Sequence, residues 1–289
     1  RPAPLSPTLR RVSALTGSNE NRDLIFTDPP YYDAIPYSDL MDYFLIWQRR
    51  ITQGLSPEIE AAFADRVGPK WDHEKQDGEL IEDESRHRGD KAAAKKAYED
   101  GMARAFEQMW RQLGDHGRLA VVFANKEVDA WETLVAALVR SGFVVSASWP
   151  IQTERTGRMR SNNSAALASS VWLVCRKRPR TAPAGWEENV LDRMRRILFD
   201  PRDTLGGRNI LQYYFDLGIQ GPDFLWAALG PALEAYSAHL YVKKTGGGIM
   251  TVSEFLHEVR KLVLQFSLGE LPGFHDLQRE TQGRGESLE

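Results

Sequence analysis

Residues 118–125, Arg-Leu-Ala-Val-Val-Phe-Ala-Asn, form a nearly continuous apolar run. A strand that is apolar at almost every position needs cover on both faces, the situation of a central strand in a parallel sheet. The flanking patterns extend this reading to an α/β fold. Residues 91–113 are Ala-rich and charged, with Met102, Phe106, Met109 and Leu113 on one helical face, and Gly114 and Gly117 read as the end of that helix. Downstream, 128–140 reads as a second helix, 143–149 as a strand, and 169–176 as a strand after a loop rich in Ser, Asn and Arg. Leu24-Ile25-Phe26 reads as a shorter buried strand upstream. Strand, helix, strand, helix, strand, loop, strand is half of a doubly wound α/β sheet closing in an antiparallel pair.

The rest of the chain has a different texture. The first twenty or so residues are weakly patterned, with a short strand at 12–15. Ser38 reads as an N-cap, followed by an amphipathic helix over 39–50 with Leu40, Met41, Phe44, Leu45 and Trp47 at helical spacing. Residues 54–90 are polar and broken by Pro57, Gly68, Pro69, Gly78 and Gly89, a long excursion with a short helix near 58–63. After Pro179 the pattern predicts helices over 187–198, 210–217, 225–240 and 252–266, with a hairpin over 241–250 through Gly246-Gly247-Gly248. The predicted organisation is an α/β unit over 1–180, a mostly helical module over 181–277 and a disordered polar tail over 278–289. No internal repeat is visible.

The chain of 289 residues carries a net charge of −3 and a single cysteine. One cysteine excludes an internal disulfide framework and a Cys-rich zinc site. Cys175 follows Val171-Trp172-Leu173-Val174 and reads as a buried, inert thiol. No apolar stretch reaches the roughly 18–20 residues needed to span a bilayer, and the N-terminus has no signal-peptide core, so a cytoplasmic protein is expected, with no membrane partner. The net charge argues against wholesale polyanion binding, yet charge is placed unevenly. Arg155, Arg158, Arg160, Arg176, Lys177, Arg178 and Arg180 occur with no acidic residue among them, a strip that suits nucleic acid or else solvated strand ends.

Chemistry enters at Asp28-Pro29-Pro30-Tyr31, directly after the first strand. An aromatic amine is a poor nucleophile because its lone pair is delocalised into the ring. An Asp carboxylate and a backbone carbonyl can each accept one of its N–H groups, pushing nitrogen toward a tetrahedral geometry and freeing the lone pair. The two prolines fix those acceptors in advance, and Tyr31 offers a flat face to a base taken out of its stack. This is the amine-holding motif of methyltransferases that modify exocyclic amines of bases, and related motifs serve enzymes that methylate protein glutamine or ribosomal RNA guanine. The plain alternative is a strand ending in a Pro-rich turn, with Asp28 capping a helix and Tyr31 packing.

Six segments in order carry a wider resemblance: residues 27–33 (TDPPYYD), 37–50 (YSDLMDYFLIWQRR), 123–131 (FANKEVDAW), 148–155 (SWPIQTER), 166–178 (ALASSVWLVCRKR) and 230–242 (GPALEAYSAHLYV). Over about residues 24–266 the chain resembles the large bacterial and archaeal adenine-specific DNA methylases that carry an N-terminal domain of unknown function, in which a zinc ribbon is often described. The resemblance implies a partial Rossmann-like methyltransferase sheet, S-adenosylmethionine as cofactor and DNA as partner. It implies in-line attack by the adenine amine on the sulfonium methyl, with Asp28, Pro29, Pro30 and Tyr31 as the amine-holding and base-stacking set. Arg155, Arg158 and Arg160 are the candidate DNA contacts, and 54–90 and 155–164 the candidate specificity loops. No role is assigned to Thr153 or Glu154, and cytosine N4 is the nearest alternative target.

One element of the resembled family is missing. Its cofactor is gripped by a strand followed by a Phe-x-Gly-x-Gly loop ahead of the DPPY motif, and nothing ahead of Asp28 supplies it. Gly206-Gly207 has no strand leading into it; Thr245-Gly246-Gly247-Gly248 follows an apolar run and reads either as a permuted cofactor loop or as a hairpin turn. The simplest expectation is the catalytic-motif half of a methyltransferase, with its cofactor half missing or supplied by a partner subunit, and hence an exposed sheet edge. The rival expectation is a non-catalytic DNA-binding or assembly module. A metal-dependent hydrolase is a third, weakened because none of the six histidines has metal-ligand spacing.

Overall fold

Strand β1 (Arg22–Thr27) pairs in parallel with β2 (Leu113–Phe123), placing Ile25 opposite Leu119 and Thr27 opposite Val121. β4 (Ser169–Lys177) lies antiparallel on the other side of β2, and β3 (Phe143–Gln152) lies antiparallel beyond β4, giving the order β1-β2-β4-β3. The α/β class and the closing antiparallel pair are as the sequence predicts. This is a computed structural model, and it describes residues 13–16, 20–33, 36–62, 79–125, 127–152, 169–200, 209–219 and 221–269.

The helices are α1 (Tyr37–Thr52), α2 (Pro57–Ala62), α3 (Lys91–Gln112), α4 (Val128–Arg140), α5 (Glu187–Phe199), α6 (Ile210–Asp216), α7 (Pro222–Ser237) and α8 (Val252–Ser267). One face of the sheet, carrying Leu119, Val121, Phe123, Val171, Leu173 and Cys175, is buried in a core with Phe106 of α3 and Trp131 and Leu134 of α4. That core runs on without a break into α5–α8, and Trp226 of α7 stacks on Trp131 at 4.3 Å. The N-terminus of α3 is capped by the Asp90 carboxylate, which accepts from Ala93 N; α8 opens with a capping box between Thr251 and Glu254.

Several sequence expectations need correction. Helix α3 ends at Gln112 with Leu113 as its C-cap, directly ahead of Gly114 as expected, whereas Gly117 lies farther on, inside β2, which begins at Leu113. A Cβ on Gly117 would fall 2.6 Å from Leu113 Cδ1 and 2.9 Å from the Asp23 carbonyl oxygen, so close approach, not helix termination, explains that glycine. Ser38 is not an N-cap. It sits in the first turn of α1, behind Pro36, and the Glu79 carboxylate accepts from Tyr37 N at 2.9 Å, Ser38 N at 3.1 Å and Ser38 Oγ at 2.9 Å. The segment over 241–250 folds back as expected, with an antiparallel bridge from Lys243 to Ile249. In addition β6 (Val242–Lys243) pairs in parallel with β5 (Gly185–Trp186), which the sequence does not announce.

β2 is also less symmetrically buried than its apolar run implies. On the second sheet face Phe26 and Trp172, from the strands flanking β2, meet edge-to-face over it at 5.0 Å and cover Val122. No helix of the core lies over them: Leu24 and Phe26 are 61% and 53% exposed, and Trp149 and Ile151 continue the exposed row on β3. Helix α1 likewise buries only Ser38, leaving Leu40, Met41, Phe44 and Trp47 exposed. The outer edge of β3, in contrast, is protected. Ser237 Oγ accepts from Val145 N at 3.0 Å, and α7 presses onto β3 so closely that a Cβ on Gly230 would fall 2.4 Å from Ala147 C. Pro231 lacks the amide that would bond Ala227 O, and Ser148 Oγ donates to that carbonyl at 2.6 Å instead.

Candidate active site

Asp28-Pro29-Pro30-Tyr31 leaves the carboxyl end of β1, where β2 also ends, and is held from behind by two elements. From α3, Tyr98 Oη donates to Pro30 O at 2.7 Å and accepts from Tyr32 N at 3.3 Å. From the end of β2, Asn125 Nδ2 donates to Tyr31 O at 3.2 Å, while its Oδ1 accepts from Glu127 N and its carbonyl accepts from Trp131 Nε1. Of the three carbonyls of residues 29–31, only that of Pro29 accepts no hydrogen bond among the described residues.

The loop turns on Tyr32, which is buried and has φ +62°, a left-handed conformation that costs a tyrosine roughly 1 kcal/mol. Four contacts hold it there: its amide on Tyr98, its carbonyl accepting from Glu82 N at 3.1 Å, its hydroxyl donating to Asp129 at 2.9 Å, and its ring edge-on to Tyr98 at 5.3 Å. Asp129 is also paired with Lys95. Burial works against its charge, but the hydrogen bonds from Lys95 and Tyr32 together hold the carboxyl below its ordinary value.

The Tyr31 ring packs edge-on to Phe123 at 5.4 Å. Burial, and then the Asp28 carboxylate within hydrogen-bonding reach, push the Tyr31 phenol well above its ordinary value, so Tyr31 stays protonated beside Asp28. Glu82 is a group that sequence reasoning missed. It is buried next to the loop, and its Oε1 has no hydrogen-bond partner. Burial is the largest of the causes that raise its carboxyl above the usual range; Lys91 opposes the rise, and Asp33, Glu84 and Asp129 add to it. Its only local signal was a position in an acidic stretch, which reads as solvated surface.

The basic strip separates into two parts. Arg155, Arg158 and Arg160, with Thr153 and Glu154, lie outside the described residues. Arg176, Lys177, Arg178 and Arg180 sit at the opposite end of the sheet, because β4 runs antiparallel to β1 and β2 and carries them away from Asp28. They are structural there: Arg176 pairs with Glu234, Arg178 donates to the carbonyls of Val139, Ser237 and His239, and Lys177 and Arg180 lie over the Trp110 ring. Cys175 is fully buried, which pushes its thiol up and makes it inert, as expected.

The Thr245–Gly248 candidate closes on itself. Gly247 N donates to Lys244 O and Lys244 N to Gly248 O, both at 3.1 Å, closing the hairpin, and Thr245 N donates to the Glu187 carboxylate at 3.2 Å, so two of the turn's amides are already engaged by the protein. Among the described residues no group of three or more His, Cys, Asp or Glu converges as metal ligands would, and no helix is long and apolar enough to cross a membrane. Comparison with known proteins finds no matching family model, no matching curated protein and no matching solved structure.

Proposed function

We propose that this chain carries the amine-holding half of a methyltransferase that acts on the exocyclic amine of adenine in DNA, with cytosine N4 as the nearest alternative. The observation that carries this reading is the hydrogen bonding of residues 28–32. Among the described residues Tyr98 and Asn125 occupy the carbonyls of Pro30 and Tyr31, and the Pro29 carbonyl is left as an acceptor on the residue next to a carboxylate, Asp28. A pair of fixed acceptors, one charged and one neutral, suits the two N–H groups of an aromatic amine, and preorganisation comes from the prolines and the Tyr32 anchor. Asp28 and the Pro29 carbonyl orient the amine and draw its hydrogens out of the ring plane. Tyr31 supplies an aromatic face to the base.

S-adenosylmethionine would supply an electrophilic methyl group, but the one glycine-rich turn after a strand among the described residues fits it poorly: Gly247 N closes the hairpin on Lys244 O, and Thr245 N is taken by the Glu187 carboxylate, which leaves no run of free amides. The methyl donor therefore belongs to a part outside these residues, in a longer chain or in a partner subunit. The bare sheet face supports that division. β1 and β2 are parallel, and parallel strands are stable when both faces are covered. Leu24, Phe26 and the α1 row of Leu40, Met41, Phe44 and Trp47 are the apolar surface that an α/β cofactor half would cover, and the free edge of β1 would take its nearest strand. The second reading, a non-catalytic DNA-binding or assembly module, is favoured by that same missing cradle.

Two measurements test the proposal. A single-stranded oligonucleotide with one adenine should bind about tenfold more tightly than the same strand with purine, which lacks the amine, at that position. Asp28→Ala should erase that difference. Equal affinity for adenine and purine in the unmodified chain would remove the amine-holding role. Calorimetric titration with S-adenosylmethionine should give no binding; measurable binding would overturn the division into halves.

A further inference from the structure

A cavity of about 1000 Å³ opens between β3, α5 and α6, built from residues that take no part in the Asp28 loop. Ala147 and Trp149 of β3 form its floor with Pro231 of α7, and Tyr213 and Tyr214 of α6 close one end. Helix α5 forms the opposite wall, and its sequence is sharply divided. Val190, Met194 and Leu198, four residues apart, are buried in the core; Asn189, Arg193 and Arg196, at helical spacing on another face, line the cavity.

The two arginines are the unusual feature. Arg195, one position away, pairs with Asp192, and Arg176 pairs with Glu234 at the cavity wall. Among the described residues the Arg193 and Arg196 guanidiniums have no hydrogen-bond or ion-pair partner, so two like charges stand within one turn without neutralisation there. Such a pair is mildly destabilising on a helix and gains from an anion. Across the cavity Trp149 is 45% exposed, with only an edge-on contact to Tyr214 at 6.3 Å, and no ring among the described residues stacks on it. An unpartnered aromatic surface facing two unpartnered guanidiniums, in a space at the upper end of ordinary ligand sites, matches a ligand with a planar base at one end and a phosphate at the other.

We propose that this cavity binds a nucleotide unit, with its phosphate on Arg193 and Arg196 and its base against Trp149. The two cations repel a sulfonium, so this is not the missing cradle for the methyl donor. A free nucleotide and a nucleotide within a single-stranded nucleic acid offer the same chemistry, and the test separates them.

Thymine probes keep this site distinct from the amine-holding loop, because thymine has no exocyclic amine. The full chain carrying Asp28→Ala is titrated calorimetrically with dTMP, with thymidine and with the octamer (dT)8. We expect dTMP to bind about tenfold or more tightly than thymidine. The double substitution Arg193→Ala/Arg196→Ala should abolish that phosphate preference, and Trp149→Ala should weaken dTMP and thymidine alike by about tenfold. Tighter binding of (dT)8 than of dTMP at equal nucleotide concentration assigns the site to a nucleic-acid strand; equal binding assigns it to a free nucleotide. Equal affinity for dTMP and thymidine, no binding of any probe, or a phosphate preference that survives loss of both arginines would overturn the assignment. Circular dichroism and thermal melting of each variant check that these exposed substitutions leave the fold intact, and the comparison of dTMP with thymidine needs neither of the cavity substitutions.

Discussion

Tyr98→Phe isolates the grip on the amine-holding loop, because it removes one oxygen and keeps the ring. That oxygen makes a short bond to the Pro30 carbonyl at 2.7 Å and a longer one from Tyr32 N at 3.3 Å. The two losses differ in kind. Pro30 is partly exposed, so water can reach its carbonyl; Tyr32 is buried, so its amide is left without a partner. One exchanged bond and one buried orphan together cost about 2 kcal/mol. For a chain of this size that is a fall in Tm of about 3 °C. The local signature is sharper: the Tyr32 amide is held by Tyr98 alone, so its hydrogen exchange should accelerate while the central amides of β2 and β4 keep their protection. Thermal melting and native-state exchange read both effects. If Tm falls by less than about 1 °C and Tyr32 exchanges at its original rate, Tyr98 does not position the loop, and the selective freedom of the Pro29 carbonyl has no structural basis.

Three further outcomes follow from the same geometry. Gly230→Ala places a Cβ 2.4 Å from the Ala147 backbone and forces α7 off β3, so it should cost about 3 kcal/mol or more by urea unfolding; a loss below about 1 kcal/mol would mean the helix seats loosely. Glu82 binds its proton more tightly folded than unfolded, so stability falls as pH rises from about 4.3 through the folded value. Glu82→Gln should remove that slope and melt higher than the parent at pH 8 but not at pH 4, and an equal difference at both pH values would refute the shift. Leu24→Lys, at an exposed edge position, should change stability by less than about 0.5 kcal/mol while reducing concentration-dependent association in ultracentrifugation; unchanged association would show that β1 is not the adhesive edge.

What the sequence revealed depended on whether a signal was periodic or relational. Helices α3, α4 and α8 and strands β3 and β4 carry repeating apolar patterns, and they lie within a few residues of where those patterns place them. Periodicity also identified the apolar face of α1, but it could not say whether anything covers that face, since cover is a property of other parts of the molecule. Gly117 reads as a helix stop until Leu113 and Asp23 are known to crowd it. Asp28 and its prolines were legible because their chemistry is written in four adjacent letters. Tyr98 and Asn125, the residues that decide which loop carbonyl stays free, looked like ordinary helix and strand-end positions, being distant in sequence from what they bond. Glu82 was hidden for a similar reason: a carboxylate in an acidic stretch reads as solvated until the fold buries it.

The strand order has a consequence in time. β4 is the last of the four sheet strands to be synthesised, yet it occupies the position between β2 and β3. A nascent chain that has emerged only through β3 can pair β1 with β2, but β3 has no neighbour to bond, and the antiparallel edge of β2 stands open. Completion of β4 closes both at once, and α7, later still, seals the outer edge of β3 through Ser148, Ser237 and Gly230. The sheet is therefore assembled by insertion, not by edge growth. The interval before β4 arrives is when this chain is most exposed to pairing with a neighbour on the ribosome or to capture by a chaperone.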